Sequence, residues 1–139
     1  MYKITESYVD YDGNERKEDF YFNFTEQEIT RMQYTTEGGL AEMIKRIIEA
    51  KDTPRLIQIF EDLITKSYGQ KSPDGRRFIK TPELTEEFKQ TEAFSQIYMR
   101  LATDEKAATD FVNNVVPKKM ADAVAAQEKA KVLPMNNNN

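Results

Sequence analysis

The chain of 139 residues contains no cysteine, no histidine and no tryptophan. Without thiols or imidazoles it has no Cys/His zinc site, no thiol nucleophile and no imidazole general base. The lack of cysteine also removes any disulfide framework, so stability must come from packing, which suits a reducing cytoplasm. Glycine is scarce, at positions 13, 38, 39, 69 and 75 only. No combination of these has the spacing of a P-loop or a dinucleotide fingerprint, so no nucleotide or other cofactor is expected. Apolar runs last a few residues, against the roughly 20 that a bilayer core requires, and no membrane span is expected. The opening Met1-Tyr2-Lys3-Ile4-Thr5-Glu6 interrupts its apolar residues with charge, so no signal peptide is expected there either.

The charge that is present is plentiful and nearly balanced: Lys+Arg 20 against Asp+Glu 24, a net charge of -4. An unspecific nucleic-acid binder needs excess positive charge to displace counterions, so a nucleic-acid partner is not expected. The length suits one domain with one core. Residues 1–117 are expected to form it, with a β-hairpin over 1–24 and helices over 25–117, followed by a helix-prone Ala/Lys segment and an Asn tail over 118–139. The fold class expected is mainly α: a bundle of short helices with an N-terminal β-hairpin and a disordered C-terminal tail.

Between Tyr2 and Phe24 the apolar residues recur with period two: Tyr2, Ile4 and Tyr8, then Phe20, Phe22 and Phe24. Asp12-Gly13 between the runs supplies a hairpin turn. Asp10, Asp12 and Asn14 share the first three spacings of a calcium loop, but Glu15 stands where that loop needs Gly and Tyr21 where it needs a bidentate Glu, so no metal is expected. The aromatic face needs a cover, which the helices that follow, or another copy of the chain, can supply.

Thr25-Glu26-Gln27-Glu28 reads as a capping box that starts a short helix. Leu40, Met43, Ile44, Ile47 and Ile48 make an amphipathic helix to about Lys51. Thr53-Pro54 starts another, with Leu56, Ile59, Phe60 and Leu63 buried and Gly69 as its C-cap. Thr81-Pro82 repeats the signal ahead of Leu84 and Phe88; Phe94, Ile97, Tyr98 and Leu101 follow, and Thr103-Asp104 caps a helix carrying Phe111, Val112 and Val115, which Pro117 ends. The expected helical core comprises Ile44, Ile47, Phe60, Leu63, Phe94, Ile97, Leu101 and Phe111.

From Gln70 to Lys80 the apolar period disappears, and Ser72-Pro73-Asp74-Gly75 marks a tight turn. Lys66, Lys71, Arg76, Arg77 and Lys80 face a single carboxylate, Asp74, within an otherwise acidic chain. This stretch can meet an acidic helix or a phosphate, or its arginines can pair with Glu83, Glu86 or Glu87 of the same chain. As a partner-binding surface it offers Tyr68, Lys71, Asp74, Arg76, Arg77, Phe78 and Lys80. Adjacent carboxylates such as Glu86/Glu87 and Asp104/Glu105 point in different directions on a helix and read as solvated faces, so no catalytic site is expected and the chain is not read as an enzyme.

At Tyr68-Gly69-Gln70-Lys71-Ser72-Pro73-Asp74-Gly75-Arg76-Arg77-Phe78-Ile79-Lys80 the chain resembles the tail assembly chaperones of long-tailed, siphovirus-type bacteriophages and prophages. The likeness extends through Asp10-Tyr11-Asp12-Gly13, Glu18-Asp19-Phe20-Tyr21-Phe22-Asn23, Thr36-Glu37-Gly38-Gly39-Leu40-Ala41-Glu42-Met43-Ile44 and Asp52-Thr53-Pro54. It continues through Glu87-Phe88-Lys89-Gln90-Thr91-Glu92-Ala93-Phe94-Ser95 and Phe111-Val112-Asn113-Asn114-Val115-Val116-Pro117. The resemblance implies a protein of the infected host's cytoplasm that binds the tape measure protein, keeps it soluble and helps the tail tube (major tail) protein polymerise around it. It implies no active site and no place in the mature virion. It also implies a short form, beside a long frameshifted form, and leaves room for self-association. Two other readings are a tail completion or adaptor protein of the virion and a small phage-encoded inhibitor of a host enzyme.

Overall fold

The computed structural model describes residues 1–35 and 53–117. In chain order these form β1 (Tyr2–Val9), β2 (Glu15–Phe22), α1 (Glu26–Thr35), α2 (Thr53–Ser67), β3 (Tyr68–Lys71), β4 (Phe78–Ile79), α3 (Pro82–Lys89), α4 (Glu92–Thr103) and α5 (Glu105–Val115). The helix expected over 40–51 and the segment 118–139 lie outside the described residues.

The expected N-terminal hairpin is present, with Tyr2 opposite Phe22, Ile4 opposite Phe20 and Val9 opposite Glu15. The expectation of helices alone after residue 24 is corrected. β3 and β4 extend the hairpin into a four-stranded antiparallel sheet in the order β1-β2-β3-β4. The described chain therefore combines five helices with that sheet, an α+β arrangement rather than a helical bundle. Strands of four and two residues are too short to display a period of two, which is why the stretch read as a loop.

Gly69 changes role for the same reason. It stands in β3, paired with Tyr21, and does not cap α2. A Cβ there would lie 2.7 Å from Cε2 of Phe78 and 2.9 Å from the Ile79 carbonyl oxygen, so the position is kept bare by close approach and not by backbone conformation. Helix α2 runs straight into β3, and the Ser67 carbonyl accepts the Asn23 amide at 2.8 Å.

The sheet has an inner and an outer face. Ile4, Glu6, Phe20, Phe22 and Tyr68 are buried on the inner face, whereas Lys3, Thr5, Ser7, Lys17 and Asp19 are exposed on the other. Phe88 of α3 sits at the centre of the aromatic core: its ring stacks on Tyr68 at 4.1 Å and lies 5.3 Å from Phe20, 5.9 Å from Phe22 and 5.2 Å from Phe94. Phe111 of α5 closes the opposite side against Tyr2 and Phe22. Of the expected core, Phe60, Leu63, Ile97, Leu101 and Phe111 are buried, and Phe94 packs against them partly exposed. Ile44 and Ile47 lie outside the described residues.

Helix boundaries follow the caps. Thr25 and Glu28 form the reciprocal capping box, Thr25 N–H donating to Glu28 at 2.9 Å and Glu28 N–H to Thr25 Oγ1 at 3.2 Å. Thr81, Thr91 and Asp104 accept the first free amides of α3, α4 and α5. Val116 is extended, as the residue before a proline should be, and α5 stops ahead of Pro117.

Candidate functional site

The seven residues expected to form one binding surface are distributed over several environments. Tyr68 is 7% exposed and stacked on Phe88, so its ring is a core element closed to any partner. Asp74 frames the turn, accepting the Ser72 hydroxyl at 2.6 Å and the Arg76 amide at 3.1 Å. These bonds, Ser72 first, hold its carboxyl below the usual range. Ser72, itself buried, receives the Arg77 amide on its hydroxyl at 3.0 Å, and Gly75 takes φ 73° to close the turn. Lys71 places its ammonium 4.3 Å from the centre of the Tyr21 ring, on the outer face of the sheet, where Phe78 covers Gly69.

Arg76 and Arg77 are exposed at the tip of the β3–β4 hairpin. Neither guanidinium forms an ion pair with Glu83, Glu86, Glu87 or any other carboxylate among the described residues. The intramolecular pairing that the sequence left open is therefore not the arrangement adopted.

Lys80 is built differently. Its ammonium donates to the Asn23 carbonyl and to Glu28, each at 2.7 Å, and lies 4.9 Å from the centre of the Phe24 ring. Burial pushes the Glu28 carboxyl up, but the hydrogen bonds from Lys80 and the Thr25 amide together outweigh it and hold the group below its ordinary range. Glu28 thus does two jobs at once, completing the helix cap and anchoring the entrance to α3 on α1. Beside this strut opens a groove of about 620 Å³ between α1, the C-terminal end of α2 and α3. Met32 and Pro82 line it with Phe24 buried at its base, and of its basic residues Lys80 is paired with Glu28 and Lys89 lies 3.9 Å from Glu61.

A further polar cluster was not anticipated. Glu6, 3% exposed on the inner face of β1, receives Arg100 Nη2 on its two carboxylate oxygens at 2.5 and 2.6 Å and Gln96 Nε2 at 2.7 Å. Gln96 also donates to the Ser7 carbonyl at 3.0 Å. A buried carboxylate this well hydrogen-bonded locks β1 to α4, and its removal from water is offset by the partners it gains. The signal was available: in the alternation Tyr2, Ile4, Glu6, Tyr8 the only charged inward position is residue 6. Its role is to fix the sheet on the helices.

Among the described residues no helix is long and apolar enough to cross a membrane. What the fold and surface define is a small α+β domain: an antiparallel sheet backed by helices, an arginine-tipped hairpin and a groove between α1, α2 and α3. A family model described as phage tail assembly chaperone matches residues 1–138, and the chain belongs to that family. No curated protein and no solved structure matches it. The protein accordingly has a role in phage tail assembly, with tail proteins as its partners.

Proposed function

We propose that this chaperone binds the tape measure protein of its phage, keeps that long chain soluble in the host cytoplasm, and promotes polymerisation of the tail tube protein around it, without itself remaining in the virion. The observation that carries the reading is the family match over residues 1–138. Supporting it, the described surface offers spare positive charge at Arg76 and Arg77 and an open groove between three helices with Met32 and Pro82 in its lining, in a chain whose overall charge is negative. Contacts of that kind suit the capture of an exposed helix stripe. On this reading the chain acts by binding, and the Glu28 carboxyl in the groove, held below its ordinary range by Lys80 and the Thr25 amide, serves as a structural strut.

Co-expression tests the reading. With this protein present, the tape measure protein should shift from the insoluble to the soluble fraction and co-purify. Arg76→Glu combined with Arg77→Glu should slow capture and increase its salt sensitivity while leaving the circular dichroism spectrum unchanged. A tape measure protein that stays insoluble, together with stoichiometric recovery of this chain from purified virions, replaces the chaperone reading with that of a structural tail component.

A further inference from the structure

The two edges of the sheet are managed differently. On the β4 side the edge is two residues long and is followed by Lys80 and Pro82. On the β1 side it is eight residues long, paired to β2 without a bulge at every position from Tyr2 to Val9. The turn shows which backbone groups of β1 are spent. Asp10 N–H donates to the Asn14 carbonyl, so by the alternation of an antiparallel ladder Tyr2, Ile4, Glu6 and Tyr8 bond β2, whereas Lys3, Thr5, Ser7 and Val9 aim their N–H and C=O groups off the sheet. Of these outward groups only the Ser7 carbonyl has a partner among the described residues, Gln96 Nε2 at 3.0 Å. The side chains of the same four residues are exposed. Long edges are ordinarily guarded by charged side chains, a proline, a bulge or an inward-pointing charge. β1 has one exposed charge, Lys3 near one end, and neither proline nor bulge; its inward charge, Glu6, is already matched within the chain by Arg100 and Gln96.

We propose that β1 pairs antiparallel with β1 of a second copy of this chain, with Thr5 opposite Thr5 on a twofold axis, so that the two four-stranded sheets join into one. This pairing is independent of which tail protein the chaperone serves. The strand itself selects the occupant. An outward position of β1 can bond only an outward position of the second copy, which leaves a handful of registers. With Thr5 opposite Thr5, residues 1–9 pair over their whole length, and every other register shortens the overlap. In this register the outer face sets Lys3 against Ser7, and Met1, 56% exposed, against Val9, 52% exposed. The inner face sets half-buried Tyr2 against half-buried Tyr8, and Ile4 against Glu6. No like charges meet, and an apolar pair gains cover at each end. The other registers are poorer: one opposes Lys3 to Lys3, another opposes the buried Glu6 to Glu6, and the one with Ile4 opposite Ile4 leaves Val9 without a partner and turns Tyr2 towards Glu6. The Thr5 register supplies about six backbone hydrogen bonds, for which the Ser7 carbonyl keeps a second lone pair beside the one that Gln96 uses. A foreign strand would gain the backbone bonds but not this match at both ends.

Because the chain has no cysteine, single cysteines placed in the full chain report both the contact and its register. In a glutathione redox buffer Thr5→Cys should form a disulfide-linked dimer as the main species, since Cα atoms of a directly opposed hydrogen-bonded pair lie about 5.5 Å apart, within the reach of a disulfide. Lys3→Cys and Ser7→Cys should each stay mainly unlinked alone, because like positions are then about 14 Å apart along the strands, and should link to one another on mixing. Sedimentation equilibrium of the wild-type chain should show a monomer–dimer equilibrium, and hydrogen exchange at the Thr5 and Ser7 amides should slow as concentration rises. Ser7→Lys sets a like charge against the partner's Lys3 at both ends and should weaken the dimer by about tenfold, and Lys3→Glu in the same chain should restore it. Circular dichroism checks the fold of each variant. If Ser7→Lys unfolds, Ser7→Glu carries the same test with the opposite sign, tightening the dimer. A wild-type chain that stays monomeric at millimolar concentration overturns the proposal, as does linking of Lys3→Cys as readily as of Thr5→Cys. A dimer that neither change at Ser7 affects lies on another surface, with the same consequence. Two exchange patterns in a monomeric chain assign the edge elsewhere and also overturn the pairing: protection of Thr5 and Ser7 at every concentration gives it to another part of the same chain, and protection only with co-expressed tape measure protein gives it to a foreign strand.

Discussion

The two β-hairpins of this protein use the same turn chemistry for different ends. Each tip has a glycine in the left-handed region, Gly13 at φ 83° and Gly75 at φ 73°, and each is framed by an aspartate that accepts backbone amides. In the first hairpin the arginine beyond the turn is consumed by the fold: Arg16 Nε donates to Asp10 at 2.6 Å, while Thr5 bonds Asp19 and Tyr8 bonds Glu18 across the strands. In the second, Arg76 and Arg77 contribute backbone amides to the turn and keep their side chains in solvent. A long hairpin whose tip is exposed needs its own cross-strand ties. A short hairpin packed on Phe88 does not, and its cations stay available for a partner.

If both hairpins hang on one aromatic centre, Phe88→Ala should be the most damaging single change considered. Its ring touches Phe20 and Phe22 of β2 and stacks on Tyr68 of β3, and its truncation should cost about 3–5 kcal/mol in urea denaturation. A loss below about 1 kcal/mol would mean that the hairpins are held independently.

The next effect concerns β1 alone. Arg100→Met leaves the buried Glu6 carboxylate with Gln96 as its remaining partner. The arginine side chain is 45% exposed, so the expected cost is about 2 kcal/mol, less than for a wholly buried pair. Adding Glu6→Leu should recover part of it, because the uncompensated charge is then gone. No recovery in the double variant would show that packing of the arginine stem, not the charge, ties β1 to α4.

Gly69 and Gly75 separate space from backbone conformation within the second hairpin. Gly69→Ala should cost about 1–3 kcal/mol through collision with the Phe78 ring and the Ile79 carbonyl, and Phe78→Ala in the same chain should restore part of that loss. Gly75→Ala should cost about 1 kcal/mol through its positive φ, with no neighbour within 4 Å of the added methyl and therefore no rescue by any neighbouring truncation. Thermal melts of the three variants form the comparison.

The same contrast explains which parts of the structure were legible in the sequence. The first hairpin was readable because its two strands of eight residues give a period of two time to show, and its turn carries Asp-Gly. Helix starts were readable because Thr25, Thr81 and Asp104 announce themselves through local hydrogen bonds. β3 and β4 were not, since two to four residues carry no period and the pairing of β3 to β2 is a contact across more than forty residues of chain. The candidate site suffered from the same problem. Tyr68, Asp74, Arg76 and Lys80 are near neighbours in sequence, but strand pairing puts one in the core, one in the turn, one in solvent and one against α1. The groove itself is assembled from three helices, so no local pattern could announce it. Glu6 was legible in principle, but only once the inward face of β1 was taken position by position.

The smallest expected effect addresses the comparison most directly, by titrating the two turn aspartates. Both carboxyls lie below the ordinary value of 3.8, Asp10 chiefly because of Arg16 and then the Asn14 amide, Asp74 chiefly because of Ser72 and then the Arg76 amide. A depressed carboxyl favours the folded state above its unfolded pKa, and that contribution is lost as pH falls through the folded value, so both contributions are full above roughly pH 4 and disappear only below it. Carbon-detected NMR titration should show Arg16→Ala raising the Asp10 pKa towards 3.8 with Asp74 unmoved, and Ser72→Ala doing the reverse. Arg76→Ala should move neither, because only its backbone amide reaches Asp74. Should Arg76→Ala instead raise the Asp74 pKa as Arg16→Ala raises that of Asp10, the two hairpins spend their arginines alike. The tip would then hold a structural ion pair, and the case for Arg76 as a contact for a tail protein would be lost.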